Sequence, residues 1–513
     1  MPSIILYTAV IALLGLFALR WRSGAPKSSL PLPPGPPPLP IIGNVHQAPK
    51  SHSWRQYHEW GKTYGPIFHL NMLGQHVIIL SSSQAAHDLL AKRGATFSDR
   101  PRLFMAGELA LKGMNVLLMS YDDRFRVHQK LENSVLNQRA SASYVPFQGM
   151  ESKQLLFDLL NSAGGAGADF HGYVERTSAS IIYALFYGFR LKDAQDPTLV
   201  SALALNDDFS EFVQVGAYLV DTFPFLNVLP GFLAPWKAKA ESHWTRQRKL
   251  HVGNLRRGLE APGWTFAKHL HQMVESEGID MSTDELAFEF GTLVDAALDG
   301  TTETLIWFVL ACITQNGKDG RDFIAKAREE LDAVVGRERL PEIEDRAQMP
   351  YTESTYEGYR IPAGSVVLAN HWAITREEAS FGPDADEFIP ERWLDPDSKE
   401  LRNLPVVGFG YGRRTCPGRH FARNVVWLAI ARLLWAFDIR AGRSSDGSGE
   451  PVVIDPLACT DGLVMRPLPF RASFEPRGPW ARDIIVRECD THGEDVTTIL
   501  DKIGEDLRAK QQQ

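Results

Sequence analysis

The sequence predicts one large, mainly α-helical domain with small β-sheets, and three observations carry that prediction. Helical apolar spacing dominates residues 155–331. Strand-like runs cluster towards the two ends of the domain. No linker divides the chain, although 513 residues alone would suit several domains. The net charge is −8 and there is no dense basic stripe, which argues against a nucleic-acid partner. Four scattered cysteines, Cys312, Cys416, Cys459 and Cys489, fit a reducing compartment without a disulfide framework.

At the N-terminus, residues 4–19 are apolar and uncharged, and Arg20-Trp21-Arg22 follows. A signal peptide carries positive charge before its apolar run, whereas here the charge comes after it. The positive-inside rule then puts the downstream chain in the cytosol. The run is short of the roughly 20 residues that span a bilayer. Residues 1–3 and a snorkelling Arg20 complete it, giving a membrane anchor over residues 1–22. The alternative, a buried core helix, is disfavoured because an extreme N-terminus rarely opens a core. Residues 23–44 form a hinge whose proline-rich part, 31–40, reads as a stiff spacer.

Further on, Ile67–Met72 and Gln75–Leu80 read as strands joined at Leu73-Gly74 in a hairpin. Residues 82–92 combine a capping serine run with helical apolar spacing. Residues 161–167 and 444–449 read as Gly-, Ala- and Ser-rich surface loops. Phe223, Phe225, Leu226, Val228, Leu229, Phe232, Leu233 and Trp236 crowd a proline-broken segment. That segment is either ordinary core or a membrane-dipping lip of a substrate channel. Residues 494–509 have helical spacing and suggest a solvated terminal helix without chemistry.

One short stretch carries chemistry. Cys416 lies in Phe409-Gly410-Tyr411-Gly412-Arg413-Arg414-Thr415-Cys416-Pro417-Gly418, and an apolar, helix-like run over 421–435 begins just after it. A helix N-terminus offers free N–H groups and partial positive charge to a sulfur anion. Gly412 and Gly418 let backbone come close to such a site. A buried, inert cysteine is the alternative. A zinc site on Cys416 and His420 lacks further ligands at suitable spacing.

This stretch resembles the haem-ligand loop of the cytochrome P-450 superfamily, F-x-x-G-x-R-x-C-x-G. The likeness continues in Phe388-Ile389-Pro390-Glu391-Arg392-Trp393, similar to the family's PERF-type motif. Phe97-Ser98-Asp99-Arg100-Pro101, the central helix over residues 286–311 and the proline-rich hinge add to it. The resemblance covers roughly residues 30–478, so residues 45–478 are assigned to the catalytic domain and 479–513 to a C-terminal extension. Asp221-Thr222-Phe223-Pro224-Phe225-Leu226 and Ala234-Pro235-Trp236-Lys237 resemble fungal microsomal members that act in secondary metabolism.

The resemblance implies haem b held by Cys416 as axial thiolate, a ligand that pushes electron density onto iron and favours O–O cleavage. It implies Arg414 on a haem propionate, with Phe409, Gly412 and Gly418 packed around the cofactor. The implied activity is a monooxygenase that inserts one atom of O2 into an apolar small molecule. Electrons would come from NADPH through NADPH–cytochrome P-450 reductase. The implied location is the endoplasmic reticulum membrane, single-pass, with the catalytic domain facing the cytosol.

Three departures from the family pattern matter. The central helix usually carries A-G-x-D/E-T-T/S, and Ala296-Ala297-Leu298-Asp299-Gly300-Thr301 stands there. The acid is kept as Asp299, but the threonine place is Gly300. A neighbour one residue on points about 100° away on a regular helix. A helix loosened at Gly300 would let Thr301 turn inward, making Asp299 and Thr301 the candidate proton relay. The alternative is a solvated or capping run. Second, the family's W-x-x-x-R on an earlier helix becomes Phe125 and Gln129, leaving Arg126 or His128 to substitute or to face solvent.

Third, the K-helix E-x-x-R is missing. It belongs between Met349-Pro350-Tyr351 and Tyr356-Glu357-Gly358-Tyr359-Arg360, where those flanks nearly touch. Extended chain reaches only about 3.5 Å per residue, so no helix fits. Glu357 and Arg360 spell the motif but belong to the following strand–turn unit. Glu505 and Arg508 spell it on the wrong side of the cysteine. Two alternatives to the monooxygenase follow. The altered threonine suits a haem-thiolate isomerase or dehydratase that needs no reductase. The lost helix suits an inactive truncated paralogue or a mis-spliced gene model.

Overall fold

The computed structural model describes residues 31–162, 169–214, 216–318, 322–349, 365–389, 407–443, 450–462 and 464–511. The predicted anchor, the junction at residues 350–364, Arg392 and the predicted loop at 444–449 lie outside them.

Two small sheets are built from the ends of the domain. β1 (Ile67–Met72) and β2 (Gln75–Leu80) pair antiparallel from Ile67↔Leu80 to Met72↔Gln75, with the bounds that the alternation predicts. Leu73 and Gly74 both have positive φ, 52° and 89°. A two-residue hairpin needs that conformation to match the strand twist, and Gly74 adopts it without steric cost. β3 (Val366–Ala369) joins parallel to β2 from Val77↔Val366 to Leu80↔Ala369. β4 (Phe437–Ala441) pairs antiparallel with β5 (Ala472–Pro476) in the second sheet. The proline-rich run is docked on β1 from Pro34 onward. His69 N–H donates to Pro34 O at 2.8 Å, and Asn44 N–H to Asn71 O at 2.6 Å.

The helices between the sheets position the site. They include α1 (Asp123–Leu136), α2 (Val145–Asn161), α3 (His171–Tyr187), α4 (Pro197–Phe212) and α5 (Pro235–Glu260). The central helix α6 (Thr283–Thr314) has 32 residues. Ser282 Oγ caps it by accepting Glu285 N–H at 3.1 Å, and Asp284 and Glu285 favour its positive end. α6 is long and apolar enough to cross a membrane by length and composition. In this fold its apolar sides are core instead. Leu286, Phe290, Val294 and Leu298 belong to one hydrophobic cluster, and Leu305, Ile306, Val309 and Leu310 to a second. α7 (Arg419–Ala436) does the same, with Phe421 and Val425 in the first cluster and Leu433, Leu434 and Trp435 in the second. α6 and α7 pack against each other, so both halves of the core meet along this pair.

Two expectations change. The terminal helix is not simply solvated. α8 (Pro479–Glu488) buries Ala481, Ile484 and Ile485, and α9 (Thr497–Gln511) buries Leu500, Ile503 and Leu507 in the main core. Each such side chain is worth about 1.5–3 kcal/mol of transfer free energy. The connection between them is pinned where Thr491 N–H donates to Gln154 Oε1 at 2.7 Å and Arg190 donates to the Thr491 carbonyl. The periodicity was real, but it marked a buried stripe. The proline-broken segment is divided. Leu226 and Trp236 pack on a third cluster, while Phe225, Val228 and Phe232 are 67%, 85% and 84% exposed.

Candidate functional site

The Cys416 loop ends where α7 begins. Cys416 N–H donates to Phe409 O at 2.8 Å, closing the loop across its first and eighth residues. The backbone N–H groups of Gly418 and Arg419, at the start of α7, hydrogen-bond to the Cys416 sulfur. Burial raises the thiol pKa, and the Gly418 N–H works against that rise. This donor set suits a thiolate whose charge is completed by a metal, because coordination deprotonates a thiol outright. Gly412 has φ +56°, and a Cβ there would sit 2.2 Å from Leu90 O, so the loop passes where only glycine fits.

Arg414 stands beside this loop as a half-buried cation. Its Nε donates to Ser98 O at 2.7 Å and its Nη2 to Met119 O at 2.6 Å, and the guanidinium lies 3.7 Å from the Phe125 ring centroid. It forms no salt bridge among the described residues. Burial, with Arg100 adding to it, pushes the Arg414 pKa down to about 10. Arg100 itself donates to Leu117 O at 3.0 Å. The buried acid within electrostatic reach, Glu132, is held well above the usual carboxylate range by burial and by Glu289. The two guanidinium groups thus repel each other and share a single charged acid, Asp99, which against burial is held below its usual range by backbone N–H groups and Arg414, while Glu132 stays uncharged. An anionic group between them would relieve that repulsion, which is the fit a haem propionate requires.

The two departures on α1 have structural answers. Phe125 supplies the ring under Arg414, and Gln129 Nε2 donates to Arg413 O at 3.1 Å, so both places still serve the loop. Arg126 pairs with Asp123 on the surface. His128 is fully buried and bridges Glu289 at 2.6 Å and Glu285 at 3.0 Å on α6. Burial disfavours its charge, but the two carboxylates outweigh that and hold its pKa up. It ties α1 to α6.

On α6, Ala296, Gly300 and Thr304 are exposed in the middle of an otherwise covered helix. They recur every fourth residue and so form one open stripe. A Cβ on Gly300 would meet nothing within 4 Å. Thr304 Oγ1 donates back to Gly300 O at 2.7 Å. Thr301 is only 7% exposed and lies off this stripe, and the helix is continuous through Gly300. Asp299 pairs with Arg466, Nη2 to Oδ1 at 2.8 Å. Burial raises the Asp299 pKa against the pull of Arg466. Glu303, one turn along, shares the same guanidinium, with Nε to Oε1 at 3.2 Å. The sequence reading missed Glu303, Thr304 and Arg466. The i, i+4 spacing of Asp299 and Glu303 was visible, but no local signal points to Arg466.

A family model described as cytochrome P-450 matches residues 33–357 and 354–472. The chain belongs to the cytochrome P-450 family. It is 36% identical over 474 residues to the monooxygenase aneD of Aspergillus aculeatus, covering 87% of this chain and 88% of that one. It is 34% identical over 532 residues to the monooxygenase FrzL of a Cladobotryum species, covering 99% of each. It is 35% identical to the echilunin cytochrome P-450 monooxygenase of Aspergillus ruber, covering 99% of this chain and 95% of the relative. The cytochrome P-450 chain described here is accordingly a monooxygenase of a fungal type. Its mainly helical architecture with small sheets is that of the family.

Proposed function

We propose that this monooxygenase inserts one oxygen atom of O2 into an apolar small molecule of fungal secondary metabolism, with electrons from NADPH through a separate reductase. The observation that carries the reading is the pair of N–H groups at the start of α7 aimed at the Cys416 sulfur, beside two half-buried cations, Arg414 and Arg100, that have only Asp99 as a charged acid between them. Haem b, held by Cys416, supplies the oxygen-activating chemistry. The chain's own residues do the rest. The Gly418 and Arg419 N–H groups would hold charge on the sulfur and so temper its donation to iron. Arg414, steadied by the Ser98 and Met119 carbonyls and by Phe125, would take a propionate, and Phe409, Gly412 and Gly418 would pack around the cofactor. Asp299, and the hydroxyls beside Gly300, Thr301 among them, handle protons on the side of α6. The naming of one relative for echilunin supports a small-molecule substrate of that general class.

The exposed Phe225, Val228 and Phe232 support contact with the endoplasmic reticulum membrane beside an anchor over residues 1–22, the catalytic domain facing the cytosol. Truncation of residues 1–22 releases most of the protein from membranes, read by sedimentation, if that anchor is the main attachment.

The two pieces of the family match meet at residues 354–357, the junction where the K-helix is missing from the sequence. That supports a segment lost from the chain, and sequencing the transcript across residues 355 and 356 tests it. The reduced, CO-bound difference spectrum of the full chain tests the haem reading. A red-shifted Soret band that disappears in Cys416→Ser is expected. An unshifted band in the parent chain, or a shifted one in Cys416→Ser, overturns the ligand assignment. An isomerase or dehydratase reading draws on Gly300 standing in the threonine place, and product formation without NADPH would select it.

A further inference from the structure

Arg466 connects the surface to the middle of α6. Its Nη1 lies 3.5 Å from Asp207 Oδ1, its Nη2 2.8 Å from Asp299 Oδ1, and its Nε 3.2 Å from Glu303 Oε1. Exposure falls along that line, with side-chain values of 69% for Asp207, 28% for Arg466, 14% for Asp299 and 8% for Glu303. Glu175 of α3 lines the same cleft, walled by Leu199 and Leu203 of α4 and by Thr302 of α6. Four carboxyl groups therefore face one guanidinium. Asp207 is solvated, but a single cation cannot balance Asp299, Glu303 and Glu175 beside the leucines, so part of that set is held protonated.

The geometry shows where that proton sits. Asp299 takes the shorter contact with Arg466, and Asn206 adds a side-chain hydrogen bond to it. Glu303 Oε1 touches Arg466, but Glu303 Oε2 is buried and has no hydrogen-bond partner among the described residues. An unpartnered carboxylate oxygen in that setting is costly as an anion and much less so as O–H. We propose that Glu303 is the proton-holding carboxyl of the relay. It keeps a proton on Oε2, releases it towards the open stripe of Ala296, Gly300 and Thr304, and regains one by way of the Asp299 carboxyl from water at the exposed Asp207 end of the cleft, with Arg466 charged throughout. This deepens the monooxygenase reading and rests on it.

The proton balance is simple. One proton leaves Oε2, and the carboxylate left behind is stabilised by Arg466, already 3.2 Å away. One proton from solvent restores the acid. Burial raises the Glu303 pKa to about 7, Arg466 opposing and Asp299 and Glu175 adding. A group near its midpoint at working pH both gives and regains a proton readily. Glu175 is raised by burial as well and is the competing candidate. Asp299 stays in the relay and also holds Arg466 in place beside Glu303.

The test uses the full haem-loaded chain and two readouts. In infrared difference titration the parent shows a carboxylic-acid band that disappears through neutral pH. Glu303→Gln loses this band and Glu175→Gln keeps it. In turnover, Glu303→Gln lowers product formed per NADPH, by up to roughly 10²-fold, and flattens its pH profile. Glu303→Asp restores a pH-dependent profile. Survival of the band in Glu303→Gln, its loss in Glu175→Gln, or an unchanged pH profile overturns the proposal. The infrared band does not depend on turnover. A chain without a thiolate-haem spectrum therefore sinks the monooxygenase reading while leaving the band to decide Glu303 by itself.

Discussion

Around Cys416, the groups in contact come from its own loop and the first residues of α7: Phe409 O, Gly418 N–H and Arg419 N–H. On the carboxylate side, the cation that sets the state of Asp299 stands 167 residues away in sequence. The first arrangement is assembled by local backbone geometry and survives modest changes in packing. The second exists only when α3, α4, α6 and the chain around Arg466 are all in place. Chemistry that needs a permanently placed donor set is thus local. Chemistry that needs a tuned proton affinity draws on the tertiary structure, because burial and distant charge are what tune it.

The largest expected effect that separates the two sides is Arg466→Leu. It strands Asp299 and Glu303 in a largely buried cleft without their cation, and breaking such a pair costs up to about 3–5 kcal/mol. The cost depends on pH with a definite sign. Both carboxyls are raised in the folded chain, Glu303 to about 7. The folded state therefore binds more protons than the unfolded state from about pH 4 upwards, and stability falls as pH rises through that window. Arg466 opposes the rise in both groups, so its removal steepens the fall. Urea unfolding should show a small deficit at about pH 4 and the full deficit near about pH 8. An equal deficit at both values would mean that Arg466 acts through packing rather than charge.

Arg414→Lys probes the local side, with a smaller effect. Lysine cannot reproduce a fork that reaches two carbonyls while stacking on Phe125. The loss is about 1.5–3 kcal/mol, the range of a hydrogen bond to a charged group. It should appear as faster haem loss to an acceptor protein, with the thiolate spectrum of the remaining haem unchanged. Loss of the thiolate band itself would show that Arg414 also shapes the sulfur site, and that the local arrangement is not set by the loop backbone alone.

What was legible in the sequence follows the same division. The hairpin bounds, the Cys416 loop and the helix after it were readable because each is fixed by neighbours within a few residues. The burial of Leu500, Ile503 and Leu507 was not, since an amphipathic stripe tells that a face is covered only once a partner is known. His128 was read as a possible substitute for a haem contact, but it bridges Glu285 and Glu289, a role set by how α1 crosses α6. Arg466 carried no motif at all. Its importance arises from where the strand-rich C-terminal part returns against α6.

The smallest effect on stability gives the sharpest test of the open stripe. Thr304 is exposed on the stripe, and among the described residues its hydroxyl bonds only the Gly300 carbonyl, at 2.7 Å. Thr304→Ala should therefore change stability by no more than about 0.5 kcal/mol. Thr301 is buried, and Thr301→Ala removes packed atoms at a cost of about 1 kcal/mol. Their effects on turnover run the other way if α6 stays regular through Gly300. Thr304→Ala then diverts NADPH to peroxide, and Thr301→Ala leaves the product yield per NADPH unchanged. If Gly300 lets the helix open during turnover, Thr301 swings onto the stripe, and Thr301→Ala is the variant that uncouples. Peroxide per NADPH, measured for both variants, decides between them. The outcome also says whether the carboxylate side works in the packed form described here or only after α6 has moved.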